Sequence, residues 1–227
     1  LICSREGNSD WFAATIGGLG LTGVVTQATI RLRRISGTAM RVHNWRYTGL
    51  DEFFALNAAA EQAHEYAVAW IDCLAKTPRG VLMVADHGEG DLPAPHGAKR
   101  VPVTPPLSLV NGLSLRAFNA AYYGKPWPAE VHQHYLPYFY PLDAILGWNR
   151  IYGRKGFAQF QCALPLDRSE AGLTALLSEI AKAGSGSFLA VLKRFGKQDS
   201  AFSFPMEGYT LALDFPVTSK TLALLDR

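Results

Sequence analysis

The sequence predicts an α+β fold: an antiparallel sheet built from two β-α-β-β units, with the helices on one face. Two observations lead there. Runs of alternating apolar and polar residues recur in the order strand, helix, strand, strand, and the same order returns later in the chain. The helical stretches between them place apolar residues at 3.6-residue spacing, as a helix lying on a sheet requires.

The chain opens with LICSREGNSDWFAAT, read as an extended piece and then a helix opened by Asn8, Ser9 or Asp10, with Trp11 and Phe12 packing inward. A glycine-rich turn follows. Within it GLGLTG fits G-x-G-x-x-G at Gly18, Gly20 and Gly23, the spacing of a dinucleotide-binding turn. Such a turn needs a strand before it and a helix after it, so that a helix N-terminus faces the pyrophosphate. Here the order is inverted. The glycines therefore read either as a tight helix-to-strand connection at positive φ, or as bare backbone that a ligand can approach. After Gly23, VVTQATIRLRR puts Val24, Thr26, Ala28, Ile30 and Leu32 on one face and Val25, Gln27, Thr29, Arg31 and Arg33 on the other, the pattern of a half-buried strand.

From about Met40 the first unit unfolds in order. RVHNWRY alternates as a strand, and LDEFFALNAAAEQAH is helical through Leu50, Phe53, Phe54 and Leu56. YAVAWIDC and GVLMVADH supply two further strands. The second unit repeats the order. GFAQFQCALP is a strand, and RSEAGLTALLSEIAKAG is a helix on Leu173, Leu176, Leu177 and Ile180 that Gly184 stops. SFLAVLKRF and YTLALDF are strands, and SKTLALLDR begins a last helix. These are two ferredoxin-like halves, the second complete except for its last elements. Between them, residues 86–130 hold seven of the chain's thirteen prolines. A polar, proline-rich stretch of that length, centred on residues 86–120, reads as a long loop, either a lid or a surface excursion.

Composition narrows the chemistry. Net charge is only +3, and Lys and Arg are scattered, which argues against a nucleic-acid surface and leaves room for a phosphate-bearing ligand. Cys3, Cys73 and Cys162 are odd in number and far apart, so neither a disulfide framework nor a Cys-x-x-Cys metal site is indicated, and a reducing, cytoplasmic setting is the default. No apolar run reaches the length of a membrane span. The absence of an initiator Met and the short final helix point to a piece of a longer protein. His132 and His134 can share a strand face, yet no Asp, Glu or Cys with ligand spacing joins them, so no metal site is expected. Asp86-His87 looks like part of a proton relay but has no nucleophile in a suitable context, and it is assigned to the loop.

One pair of strands carries chemistry. Gln159 and Gln161 are two apart, so both amides project from the face opposite Phe160 and Cys162. Lys193 shares a face with Leu189, Val191 and Phe195. Amides for hydroxyls, an ammonium for phosphate and a ring for a sugar face suit a hydroxylated or phosphorylated ligand; the plain alternative is an exposed sheet face.

NSDWFAATIGGLGLTGVVTQATIRLRR resembles the end of the flavin-binding domain in FAD-linked oxidases of the vanillyl-alcohol oxidase type. FYPLDAILGWNRIYGRKGFAQFQCALP, SFLAVLKRFG and GYTLALDFP narrow the resemblance to the branch that oxidises the 2′-hydroxyl of a polyprenylphosphoryl ribose to a ketone. The resemblance implies that residues 1–38 end an FAD-binding domain and residues 39–227 form an incomplete substrate domain. It implies FAD contacts at Gly23, Val24 and Val25, and a substrate pocket at Trp70, Tyr140, Gln159, Gln161, Lys193, Phe195 and Thr210. Thr210 stands where that family often has Asn, Ala212 where a pocket Cys occurs, and Val68 where a Ser occurs. These departures imply insensitivity to inhibitors that trap the cysteine. The catalytic base is expected beyond Arg227, and this piece alone is expected not to retain FAD. A ketoreductase partner is implied, and peripheral membrane association is left open. The rival readings are an aldonolactone or alditol oxidase of the same superfamily, and a non-enzymatic ferredoxin-like binding module.

Overall fold

The computed structural model describes residues 1–198, 204 and 206–226. In chain order, α1 (Ser9–Thr15) precedes β1 (Ala39–Thr48), α2 (Leu50–Ala63), β2 (Tyr66–Ile71) and β3 (Arg79–His87). A middle section holds β4 (Lys99–Arg100), α3 (Gly112–Gly124), β5 (Glu130–His134), α4 (Tyr135–Phe139) and β6 (Ile145–Leu146). Then come β7 (Phe157–Pro165), α5 (Ser169–Ala183), β8 (Ala190–Phe195), β9 (Gly208–Pro216) and α6 (Ser219–Leu225). Arg227, the last residue of the expected final helix, lies outside the described residues.

Seven strands form one sheet in the order β5-β1-β3-β2-β8-β9-β7, and every neighbouring pair is antiparallel. Each β-α-β-β unit places its third strand between its first and second, giving β1-β3-β2 and β7-β9-β8. The units meet where β2 pairs with β8 through Ala69↔Leu192 and Trp70↔Val191.

Alternation along the strands sends one set of side chains into a single core. Ala69, Ile71, Leu82, Val84, Leu192, Leu211, Leu213 and Phe215 are buried against Leu50, Phe53 and Ala60 of α2 and Leu173, Leu177 and Ile180 of α5. Phe53 is fully buried, and enclosing a side chain of that size is worth roughly 2–3 kcal/mol. Gly184 closes α5 in the left-handed conformation, as its place in the sequence predicts.

Four expectations are corrected. First, residues 24–33 form no strand: Val24 is 92% exposed and Val25 61%, with Ile30 and Leu32 also in solvent. Alternation makes a strand only when a neighbour accepts its backbone groups, and among the described residues none does. Secondly, α1 forms but buries nothing, Trp11 being 53% exposed. The turn after it does use positive φ, at Gly17, Gly20 and Gly23, while Gly18 is held by a close approach to the carbonyl of Ala14.

Thirdly, the proline-rich stretch is not all loop. Asn111 caps α3 through its side-chain oxygen, which accepts from the N–H groups of Leu113 and Ser114, and Ser114 Oγ accepts in return from the Asn111 N–H. Leu115 and Asn119 anchor the helix in the interior. Asp86 and His87, assigned to the loop, are the last residues of β3. Lastly, α2 and α5 share a face, but α4 packs on the opposite one. Its Tyr135 and Tyr138 cover Met40, Val42 and Ala85, and the Tyr138 hydroxyl donates to the Met83 carbonyl at 3.2 Å.

Candidate functional site

The face of the sheet away from α2 and α5 is covered at the β1–β3 end, and over β7 and β8 it leaves Gln159, Gln161 and Lys193 exposed. Register makes the open part a grid. Trp70, Val191, Ala212 and Gln161 lie on one row across β2, β8, β9 and β7. Lys193 sits beside Thr210 on a second row, and Gln159 beside Asp214 on a third. Cross-strand partners in an antiparallel pair point to the same side, so five polar side chains from three strands are brought together.

Their exposure divides them. Gln159, Gln161 and Lys193 are exposed at the surface, whereas Thr210 and Asp214 are buried beneath it at 3% and 4% exposure. The buried pair holds the exposed amides. Gln161 Nε2 donates to Thr210 Oγ1 at 3.1 Å, and Gln159 Nε2 donates to Asp214 Oδ1 at 3.1 Å. Lys193 has no ion-pair partner among the described residues, and Phe195 adds its ring 6.3 Å from that of Phe204.

Asp214 is the residue that the sequence reading passed over. It sits in an otherwise apolar strand, and its alternation with Thr210 and Ala212, opposite Leu211 and Leu213, is the signal that could have found it. Its backbone N–H donates to Ser187 Oγ at 3.1 Å. Trp148 and Tyr152, from the WNRIYG segment, stand around it, and Trp148 Nε1 and the Tyr152 hydroxyl are buried without a well-aligned hydrogen-bond partner. Burial pushes the Asp214 carboxyl above the ordinary range, and the donors of Gln159 and Trp148 offset part of that rise.

Of the remaining expected site residues, only Trp70 shares a row of this grid. Trp70 is on the first row, but its ring packs against Tyr122 of α3 at 4.7 Å and its Nε1 donates to the Phe188 carbonyl at 3.0 Å. Tyr140 is 53% exposed, next to Phe139, whose ring meets Tyr66 of β2 edge-on at 4.9 Å. Gly23, Val24 and Val25 lie in the exposed N-terminal segment. His132 pairs with Glu130 at 2.8 Å, while the buried His134 accepts from the Leu136 N–H, so the two rings serve different partners. Among the described residues no group of three or more His, Cys, Asp or Glu is placed to hold a metal ion. Asp86 turns to His64, at 2.7 Å, rather than to His87. Cys73 is an inert core thiol, pushed up to about 12 by burial. A cleft of about 490 Å³ opens elsewhere, at the β2–β3 turn, lined by Asp72, Lys76, Arg79, Arg116 and Tyr123 among others. No described helix is long and apolar enough to cross a membrane.

The chain's relatives give this sheet a class: the chain is related to an oxidase. No family model matches the chain. Decaprenylphosphoryl-beta-D-ribose oxidase of Mycolicibacterium smegmatis is 33% identical over 228 residues, covering 92% of this chain and 49% of the relative. A Streptomyces coelicolor protein described as an uncharacterized protein in the mprA 5′ region is 32% identical over 237 residues, covering 95% of this chain and 64% of its own length. The similarity to the oxidase runs along nearly the whole chain, which spans about half the length of that relative. Solved structures of berberine bridge enzyme, one of them from Eschscholzia californica, match with TM-scores of 0.43 to 0.44 at 14 to 16% identity, covering 83% of this chain and 39% of theirs.

Proposed function

We propose that the chain is the substrate-binding part of an FAD-dependent oxidase that converts an alcohol carbon of a sugar to a ketone, the 2′-hydroxyl of a polyprenylphosphoryl ribose. The observation that carries this is the open grid of Gln159, Gln161 and Lys193, combined with 33% identity to an oxidase named for such a substrate. Residues 39–227 would be the substrate domain and residues 1–38 the end of the flavin domain. The two β-α-β-β units are read as ferredoxin-like halves.

Each group has work suited to its chemistry. Lys193 offers three donors and a charge for the substrate phosphate or a hydroxyl. Gln159 and Gln161 orient the sugar, and Phe195 gives it an apolar wall. Gly23, Val24 and Val25 would meet the adenine end of FAD; they lie exposed in the N-terminal segment, and a Cβ at Gly23 would meet nothing within 4 Å. FAD, when bound, supplies the hydride acceptor. The ketone product implies a ketoreductase partner wherever the hydroxyl is to be restored with inverted configuration.

Substrate-dependent bleaching of flavin absorbance in the full-length protein tests this reading. A short prenylphosphoryl riboside should bleach the flavin, and alditols and aldonolactones should not. Bleaching by the alditols or lactones alone would replace the proposed substrate, and a full-length protein without flavin would overturn the oxidase reading.

A further inference from the structure

We propose that Asp214 is a positioning residue that fixes Gln159 as a hydrogen-bond acceptor toward the ligand, so that this position of the open face selects a group that donates. The inference rests on the sugar-binding reading above and adds the polarity of one subsite to it. An ionised carboxylate has only lone pairs to offer, so the amide beside it must turn its NH2 inward. Gln159 does so, Nε2 lying 3.1 Å from Asp214 Oδ1, and its Oε1 is thereby left for the exposed side.

Thr210 places no such demand on Gln161. A hydroxyl both donates and accepts, so Gln161 can present either end of its amide. The two glutamines, alike in sequence and exposure, thus differ in function: Gln159 is a fixed acceptor and Gln161 an adaptable group. Beside the donor Lys193, a fixed acceptor suits a ligand that carries a hydroxyl on the same side as its anionic group.

Placement supports a built arrangement over a chance contact. Asp214 lies on the central strand of the β7-β9-β8 unit, is 4% exposed, and has its own backbone N–H held by Ser187 Oγ. Burying a carboxylate is costly without compensation, and here the exposed Gln159 amide supplies part of that compensation.

An exchange of partners tests the idea in the flavin-loaded, full-length protein with a short prenylphosphoryl riboside. Asp214→Asn frees the amide, and Gln159→Glu sets two carboxylates against each other; each should lower kcat/KM by about 10-fold, the scale of one oriented hydrogen bond to a charged partner. The double variant restores a donor below and an oxygen above, and should return to within about 3-fold of the parent, a coupling that independent losses cannot give. Losses that simply multiply in the double variant would overturn the proposal. A second measurement needs no substrate. The Gln159 side-chain amide, assigned in nitrogen-15 NMR by its loss in Gln159→Leu, should shift in Asp214→Asn, and an unmoved resonance would overturn the inference. If no sugar is oxidised at all, the proposed function fails while the NMR measurement still decides the role of Asp214.

Discussion

The two halves of the sheet share one strand order and one core but differ on the back face. In the β1-β3-β2 half, Met40, Val42 and Ala85 are sealed beneath Tyr135 and Tyr138 of α4. In the β8-β9-β7 half, the corresponding face carries Gln159, Gln161 and Lys193 in the open, over Thr210 and Asp214. A duplicated strand order thus carries two different back faces. Under the proposed function, one copy supplies rigidity on both faces and the other presents polar groups to the ligand from that rigid frame.

The sharpest test of the contrast is to place the same charge on each half. Val42→Lys, at a residue 3% exposed, buries an unpaired ammonium and should destabilise the fold by about 3 kcal/mol or more, read as loss of the cooperative denaturant transition or a large fall in its midpoint. Next in size is the effect of the open half on activity. Lys193→Met in the flavin-loaded protein should lower turnover at least ~10-fold while leaving the melting temperature near that of the parent, and unchanged kinetics would remove Lys193 from the site.

A smaller effect separates stability from function at Asp214. Its folded carboxyl is held above the ordinary range, so the folded state binds the proton more tightly than the unfolded chain does. The stability this contributes is present below the unfolded value and lost as pH rises through the folded one. Asp214→Asn should therefore melt closest to the parent below the ordinary carboxyl value and gain on it as pH rises toward neutral and alkaline. A gap that opens toward acid would reverse the assignment. Smallest of all, Gln161→Lys adds to the open face the charge that Val42 cannot accept, and should change stability by no more than about 0.5 kcal/mol.

The sheet was legible because alternation is a strong signal where one face is buried, and α5 announced both its apolar stripe and its terminal glycine. The segment at residues 24–33 has an equally regular alternation and no ladder, since a strand is a property of two chains side by side and the sequence shows only one. Helix α3 was hidden by the prolines around it, although Asn111 and Ser114 spelled its cap three residues apart. At the site, Gln159, Gln161 and Lys193 were visible as polar residues on strands. Asp214 was not, because a single acid in GYTLALDFP is outweighed by its apolar neighbours, and only the register across β7 and β9 shows which amide it holds.

The junction between β2 and β8 has a consequence of its own. With only Ala69↔Leu192 and Trp70↔Val191 in register there, the two units are stitched by a ladder far shorter than those inside each unit, while Leu82, Leu192 and Leu211 remain in one common core. Amide protons on the two sides should consequently exchange with solvent at matched rates, because the interior, and not the seam, sets the cost of opening either half.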